Sequence, residues 1–141
     1  MGYTPFFKRF EDIASRETRS LQVPKGNKLL PPGEYGLMEL YCDAPDCDCR
    51  RVIFWVVRSD HPELVLATVN FGWESLEFYR GWMGISEGVD DLVGCTLEPH
   101  GQQSKHSKGI LALCEFALRD GQFLERIKRH YQMFRDSVEA K

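Results

Sequence analysis

The apolar pattern predicts an α+β fold, in which a three-stranded antiparallel meander packs against an N-terminal helix and C-terminal helices. Three observations carry this. Between about residues 34 and 71, three strand-like runs follow one another with short connections. On both sides of that block the apolar spacing changes to helical, with Phe6, Phe10 and Ile13 before it and a longer stripe after it. A chain of 141 residues, 43% apolar and 28% charged, suits one domain (1–141) with a real core.

Thr4-Pro5 reads as a helix start, with Thr as N-cap and Pro at the first helical position, so the first helix is expected over about 5–17. Residues 20–33 hold three prolines and two glycines and read as an extended connection. The strands are expected at about 34–42, 50–58 and 63–71. The second is rich in β-branched and aromatic residues and reads as buried on both faces. Asp60-His61-Pro62 makes a tight link, which favours antiparallel neighbours.

Residues 74–83 fit a helix with Leu76, Tyr79 and Met83 inward, and a short strand is expected near 92–97. Residues 107–119 fit a buried helix with Ile110, Leu113, Cys114 and Ala117 on one face. Gly121 then separates it from a last helix over about 122–138, striped by Leu124, Ile127, Tyr131, Phe134 and Val138.

The most specific chemistry lies in Tyr41-Cys-Asp-Ala-Pro-Asp-Cys-Asp-Cys-Arg-Arg51. Cys42, Cys47 and Cys49 fall at the turn between the first two strands. Zinc takes thiolate or imidazole ligands tetrahedrally, and a tight turn can supply two or three together. Arg50 and Arg51 would offset the excess charge of three thiolates. The fourth ligand is not written beside them. Cys95, His100 and His106 are candidates, as are an Asp of the loop or water. His61 lies at the far end of the second strand, about 30 Å away, and Cys114 sits on an apolar helix face. A strained Cys47–Cys49 redox pair, a calcium loop built on Asp43, Asp46 and Asp48, and three reduced cysteines without a ligand are the competing readings. No Cys-x-x-Cys precedes a helix, and the EF-hand Gly and Glu are missing.

The segment from Gly33 to Val52 resembles a bacterial family of small uncharacterised proteins that carry a Tyr-Cys-x-x-Pro-x-Cys-Asp-Cys hairpin. Related hairpins occur in SEC-C-like, zinc-chelating proteins, although the Gly-Ser-Gly-Lys run of SEC-C itself is not present. The resemblance implies metal binding at Cys42, Cys47 and Cys49, and no reaction.

Other motifs carry less. Gly84-Ile-Ser86-Glu-Gly88 matches a nucleophile elbow but follows a helix where a strand is required. The polar run 102–109 fits a capped loop better than an anion site. At 100° per residue Lys128 and Arg135 fall on one flank of the last helix's apolar stripe and Arg126 and His130 on the other, with Glu125, Asp136 and Glu139 between them, so a mixed, solvated surface is expected. Net charge is −3, so no basic field recruits nucleic acid. No run reaches the roughly 18 apolar residues of a membrane helix, and no export signal is visible, so a cytoplasmic location is expected. An odd count of five cysteines argues against a disulfide framework. The sequence thus points to a zinc-binding domain with an interaction or structural role, its partner unspecified. A small metalloenzyme with an open metal position and a nucleic-acid-associated factor are the alternatives. No acid–base set argues for an enzyme.

Overall fold

Alternation along Gly33–Cys42 builds the central strand of the fold. In the computed structural model, which describes residues 2–140, this strand pairs on one side with two short segments and on the other with the meander. The elements in chain order are β1 (Tyr3–Pro5), α1 (Phe6–Arg9), α2 (Glu11–Glu17), β2 (Arg19–Val23), β3 (Gly33–Cys42), β4 (Arg51–Arg58), β5 (Ala67–Gly72) and α3 (Leu76–Met83), then β6 (Gly94–Leu97), α4 (Ser107–Leu118) and α5 (Gly121–Glu139). All pairings are antiparallel, giving a six-stranded sheet in the order β1-β3-β4-β5-β6, with β2 also on β3.

The register places Leu37 opposite Val56 and Ala67, and Glu39 opposite Phe54 and Val69. Paired residues share a face, and this face is the buried one, covered by α4 and α5. The other face carries Met38, Ile53 and Trp55, all half-buried. The second strand is therefore only partly buried on this face, where Arg51 and Val57 are buried and Ile53 and Trp55 are half-exposed.

The meander and the C-terminal helices match the expected architecture, and several boundaries move. Residues 20–33 are not all connection. Leu21 and Val23 turn inward while Ser20 and Gln22 face out, and Arg19–Val23 pairs with Gly33–Leu37 as a strand. The third strand begins at Ala67, since His61 to Leu64 closes a hydrogen-bonded turn and leaves Leu64 exposed. The N-terminal helix is broken at Phe10, and Tyr3–Pro5 is strand. Thr4 does not cap a helix; it pairs with Tyr41 and its hydroxyl donates to Asp43 Oδ2 at 2.8 Å. On α3 only Tyr79 is buried, while Met83 and Trp82 are exposed.

Helix α5 departs most from expectation. Its buried residues are Phe123, Ile127, His130, Tyr131, Phe134, Arg135 and Val138. At 100° per residue they span an arc of about 140°, which reaches past the apolar stripe to both flanks. His130 and Arg135, expected in solvent, are 0% and 5% exposed.

Buried polar groups need partners, and His130 has them on both nitrogens. Its Nδ1 lies 2.6 Å from Glu39 Oε1 and its Nε2 lies 2.7 Å from Glu17 Oε1. Tyr41 donates to the same Glu39 oxygen at 2.8 Å, and Phe6 stacks on the imidazole at 4.3 Å. Both ring contacts are hydrogen bonds when the ring carries two N–H groups, which is the protonated form. Burial opposes that charge, but the hydrogen bonds and charges of Glu39 and Glu17 prevail and hold the His130 pKa above its ordinary 6.5. The hydrogen bond from His130, with help from Arg129, holds the Glu17 carboxyl below its ordinary 4.5.

The linkage has a definite sign. The His130 contribution is complete below pH 6.5 and is lost as pH rises through the elevated folded value. The Glu17 contribution is present above 4.5 and is lost as pH falls. Thermal melts should therefore show greatest stability between these limits, with an alkaline decline that Glu39→Gln reduces. His130→Ala leaves Glu39 buried without its counter-charge and should cost about 3–5 kcal/mol by denaturant titration. A decline unchanged in Glu39→Gln would assign it to other groups.

Candidate metal centre

Residues 43–50 connect β3 to β4 and carry two of the three clustered thiols. Cys42 closes β3, and Cys47 and Cys49 follow in the loop. One Sγ from each lies within 4.8 Å of the other two. Cys42 and Cys49 are buried and Cys47 is half-buried, and all five thiols in the chain are unbridged. Burial raises all three thiol pKa values. Three sulfurs at this separation could bind a metal ion.

The loop is held from three sides. From α5, the Arg135 guanidinium donates to the carbonyls of Cys42 and Ala44, each at 2.7 Å, and pairs with Glu139 at 2.7 Å. Glu139 also accepts from the Asp46 backbone N–H at 2.8 Å, where the chain turns through φ 58°. From β1, Gly2 N–H and the Thr4 hydroxyl donate to the two oxygens of Asp43, each at 2.8 Å. On the third side two tyrosines clasp the backbone of Arg50. Its N–H donates to Tyr131 Oη at 3.1 Å and its carbonyl accepts from Tyr79 Oη at 2.8 Å. Arg50 has φ 50°, a left-handed conformation that a β-carbon disfavours by about 1–2 kcal/mol, so the clasp sets the exit from the loop.

The two arginines read from sequence as charge compensation are engaged elsewhere. Arg50 pairs with Asp48 at 2.9 Å and Glu74 at 3.2 Å, over the ring of Phe78. Arg51 is buried and donates to the Leu92 carbonyl and to Asn70 Oδ1. Gly72 is required there by close approach: a β-carbon would strike the Leu92 carbonyl, the Arg51 guanidinium and Tyr79. Trp73 packs edge-on against Tyr131 at 5.0 Å, so it shields the clasp.

Cys95, His100 and His106 do not join the three thiols. Cys95 lies on β6, three strand spacings from β3, which is about 14 Å across the sheet. His100 is exposed in the turn after β6, where Gly101 abuts Thr68 near the start of β5, away from the cysteine end. His106 precedes α4, whose Gly109 packs on Leu29 and Leu30 beside the start of β3, the end opposite Cys42. His61 bridges to Arg58 at that same far end, and Cys114 is fully buried in the core. Among the described residues, no further His, Cys, Asp or Glu completes the group.

Sequence reasoning missed Tyr3, whose hydroxyl lies 3.8 Å from Cys49 Sγ, and Arg135. Nothing in the local pattern pointed to Tyr3. Arg135 lies about 60° from the middle of the α5 stripe, and a wider arc would have included it. Ser86 stands in a loop that Gly84 opens at the end of α3, so it has no strand before it and no elbow forms. Comparison with known protein families, with curated proteins and with solved structures found no match.

Arg135→Ala leaves the Cys42 and Ala44 carbonyls without their donor. It should cost about 2–3 kcal/mol and raise amide exchange across residues 43–47 more than in β4 or β5. In chelator-treated native protein, alkylation followed by mass spectrometry should modify Cys47 before Cys42 and Cys49, and Cys114 only on unfolding. Equal rates at all five sites would contradict the burial order.

Proposed function

We propose that the chain is a zinc-binding domain in which Cys42, Cys47 and Cys49 hold the ion and clamp the β3–β4 hairpin. The observation that carries this is the convergence of three sulfurs within 4.8 Å of one another. In a tetrahedral zinc site, sulfurs at about 2.3 Å from the metal stand about 3.8 Å apart, so little movement is needed. The all-sulfur set favours a soft or borderline ion over calcium or magnesium. The likeness of the Tyr41–Cys49 segment to zinc-chelating hairpins supports the same reading.

The role is structural or interactive. The ion would join a loop already pinned to β1 and α5, and so fix one end of the sheet. A protein partner is the reading for the interactive role, supported by Trp82, Met83 and Ile85, which are 40–49% exposed on and after α3. Nucleic acid is disfavoured. On α5, Arg135 is turned inward and Arg126 and Arg129 bond to Glu17, so no basic stripe remains. A metalloenzyme with a solvent-filled fourth position is the second reading, favoured by the count of three protein thiols.

Elemental analysis of protein purified without added metal should find one zinc per chain, lost in Cys47→Ser. Because a large core stands apart from the hairpin, chelation should lower Tm by several degrees and leave the fold intact. No stoichiometric metal, together with identical melts in chelator, would sink the proposal.

A further inference from the structure

We propose that the phenol oxygen of Tyr3 is the fourth ligand of the zinc site, which makes the site closed and built from two separate parts of the chain. This inference rests on the zinc reading above. Strand β1 pairs Tyr3 directly with Cys42, and the Tyr3 hydroxyl lies 3.8 Å from Cys49 Sγ. In a tetrahedral site with zinc–sulfur and zinc–oxygen bonds of about 2.3 and 2.0 Å, the sulfur–oxygen edge is about 3.5 Å. Measured from Cys49, the phenol therefore already stands at close to the separation a fourth donor needs.

Its surroundings leave it that use. The chain has five tyrosines. Four place their hydroxyls on oxygen acceptors: Tyr35 on the Pro31 carbonyl, Tyr41 on Glu39, Tyr79 on the Arg50 carbonyl and Tyr131 on Asp48. Among the described residues, Tyr3 has only the Cys49 sulfur. The nearby loop carboxylates are engaged, Asp43 by Gly2 and Thr4 and Asp48 by Arg50 and Tyr131, while Asp46 faces solvent. The Asp43 contacts fix β1 in register, so the Tyr3 ring has little freedom to leave.

Coordination by three thiols and one phenol displaces a proton from each ligand to solvent, four in all, and leaves the centre with two net negative charges. Arg135, held on the Cys42 and Ala44 carbonyls, is the cation placed to balance part of that charge.

The test is a titration of zinc into metal-free wild-type protein at neutral pH. The ultraviolet difference band of tyrosinate should rise in step with zinc and stop at one equivalent. Proton release should exceed that of Tyr3→Phe by one per zinc, and the variant should bind zinc at least tenfold more weakly. One bound zinc with no tyrosinate band, and equal proton release in both proteins, would overturn Tyr3 as ligand while leaving the zinc reading in place. No zinc bound by the wild type would overturn both. The band is read on the wild type, so the result does not depend on the variant folding.

Discussion

A guanidinium taken out of water must find acceptors, and Arg135 finds them in the backbone of the cysteine hairpin. The two carbonyls it takes, those of Cys42 and Ala44, belong to the end of β3 and the first turn of the loop. The same side chain holds Glu139, which in turn receives the Asp46 N–H. The path of the loop, and with it the approach of the three sulfurs, thus depends on how α5 is seated. That seating is set one turn earlier, where His130 is lodged between Glu39 on the sheet and Glu17 on α2. Two buried polar side chains on one helix, His130 and Arg135, therefore help set the register between the helix layer and the sheet, since a shift of the helix would leave each of them buried without its partners.

Strand β3 is the other organiser. It pairs with β1, β2 and β4, so an element on either side of the fold meets the same ten residues. The odd-numbered side chains face the helices, and Tyr41 and Glu39 reach from there into the His130 network. The strand ends at Cys42, and the cysteine cluster is consequently a cap on the most constrained strand of the sheet.

Much of this frame could be read from apolar periodicity alone. Strand β3 alternates between buried and half-buried along most of its length, β4 and β5 are near-continuous apolar runs, and helices α4 and α5 bury one face each, patterns that repeat at two or near 3.6 residues or run almost unbroken. Periodicity is silent where a segment is short or where polar residues are inside. Tyr3–Pro5 has three residues, too few for any repeat, and Thr4-Pro5 also has the chemistry of a helix start. Leu21 and Val23 alternate correctly but are followed by Pro24, which drew the whole stretch into a loop. His130 and Arg135 fall on the two flanks of the α5 stripe, where a polar side chain suggests solvent. The cysteine cluster was legible because its members are close in sequence. The elements that hold it were not, because they come from residues 2–4, 79 and 131–139 and meet it only in three dimensions.

That separation shapes how the hairpin is completed during folding. The bonds from Gly2 and Thr4 to Asp43 span 41 and 39 residues, and the bond from Arg135 to Cys42 spans 93. Contacts of such span form late, after loop-closure entropy has been met by local pairing. On a ribosome the three thiols emerge together, and the helix that sets their backbone is made only later. Until then the thiols stand in an unfinished hairpin. The docking of α5 then acts as the step that converts a loose cluster of nucleophiles into an ordered one.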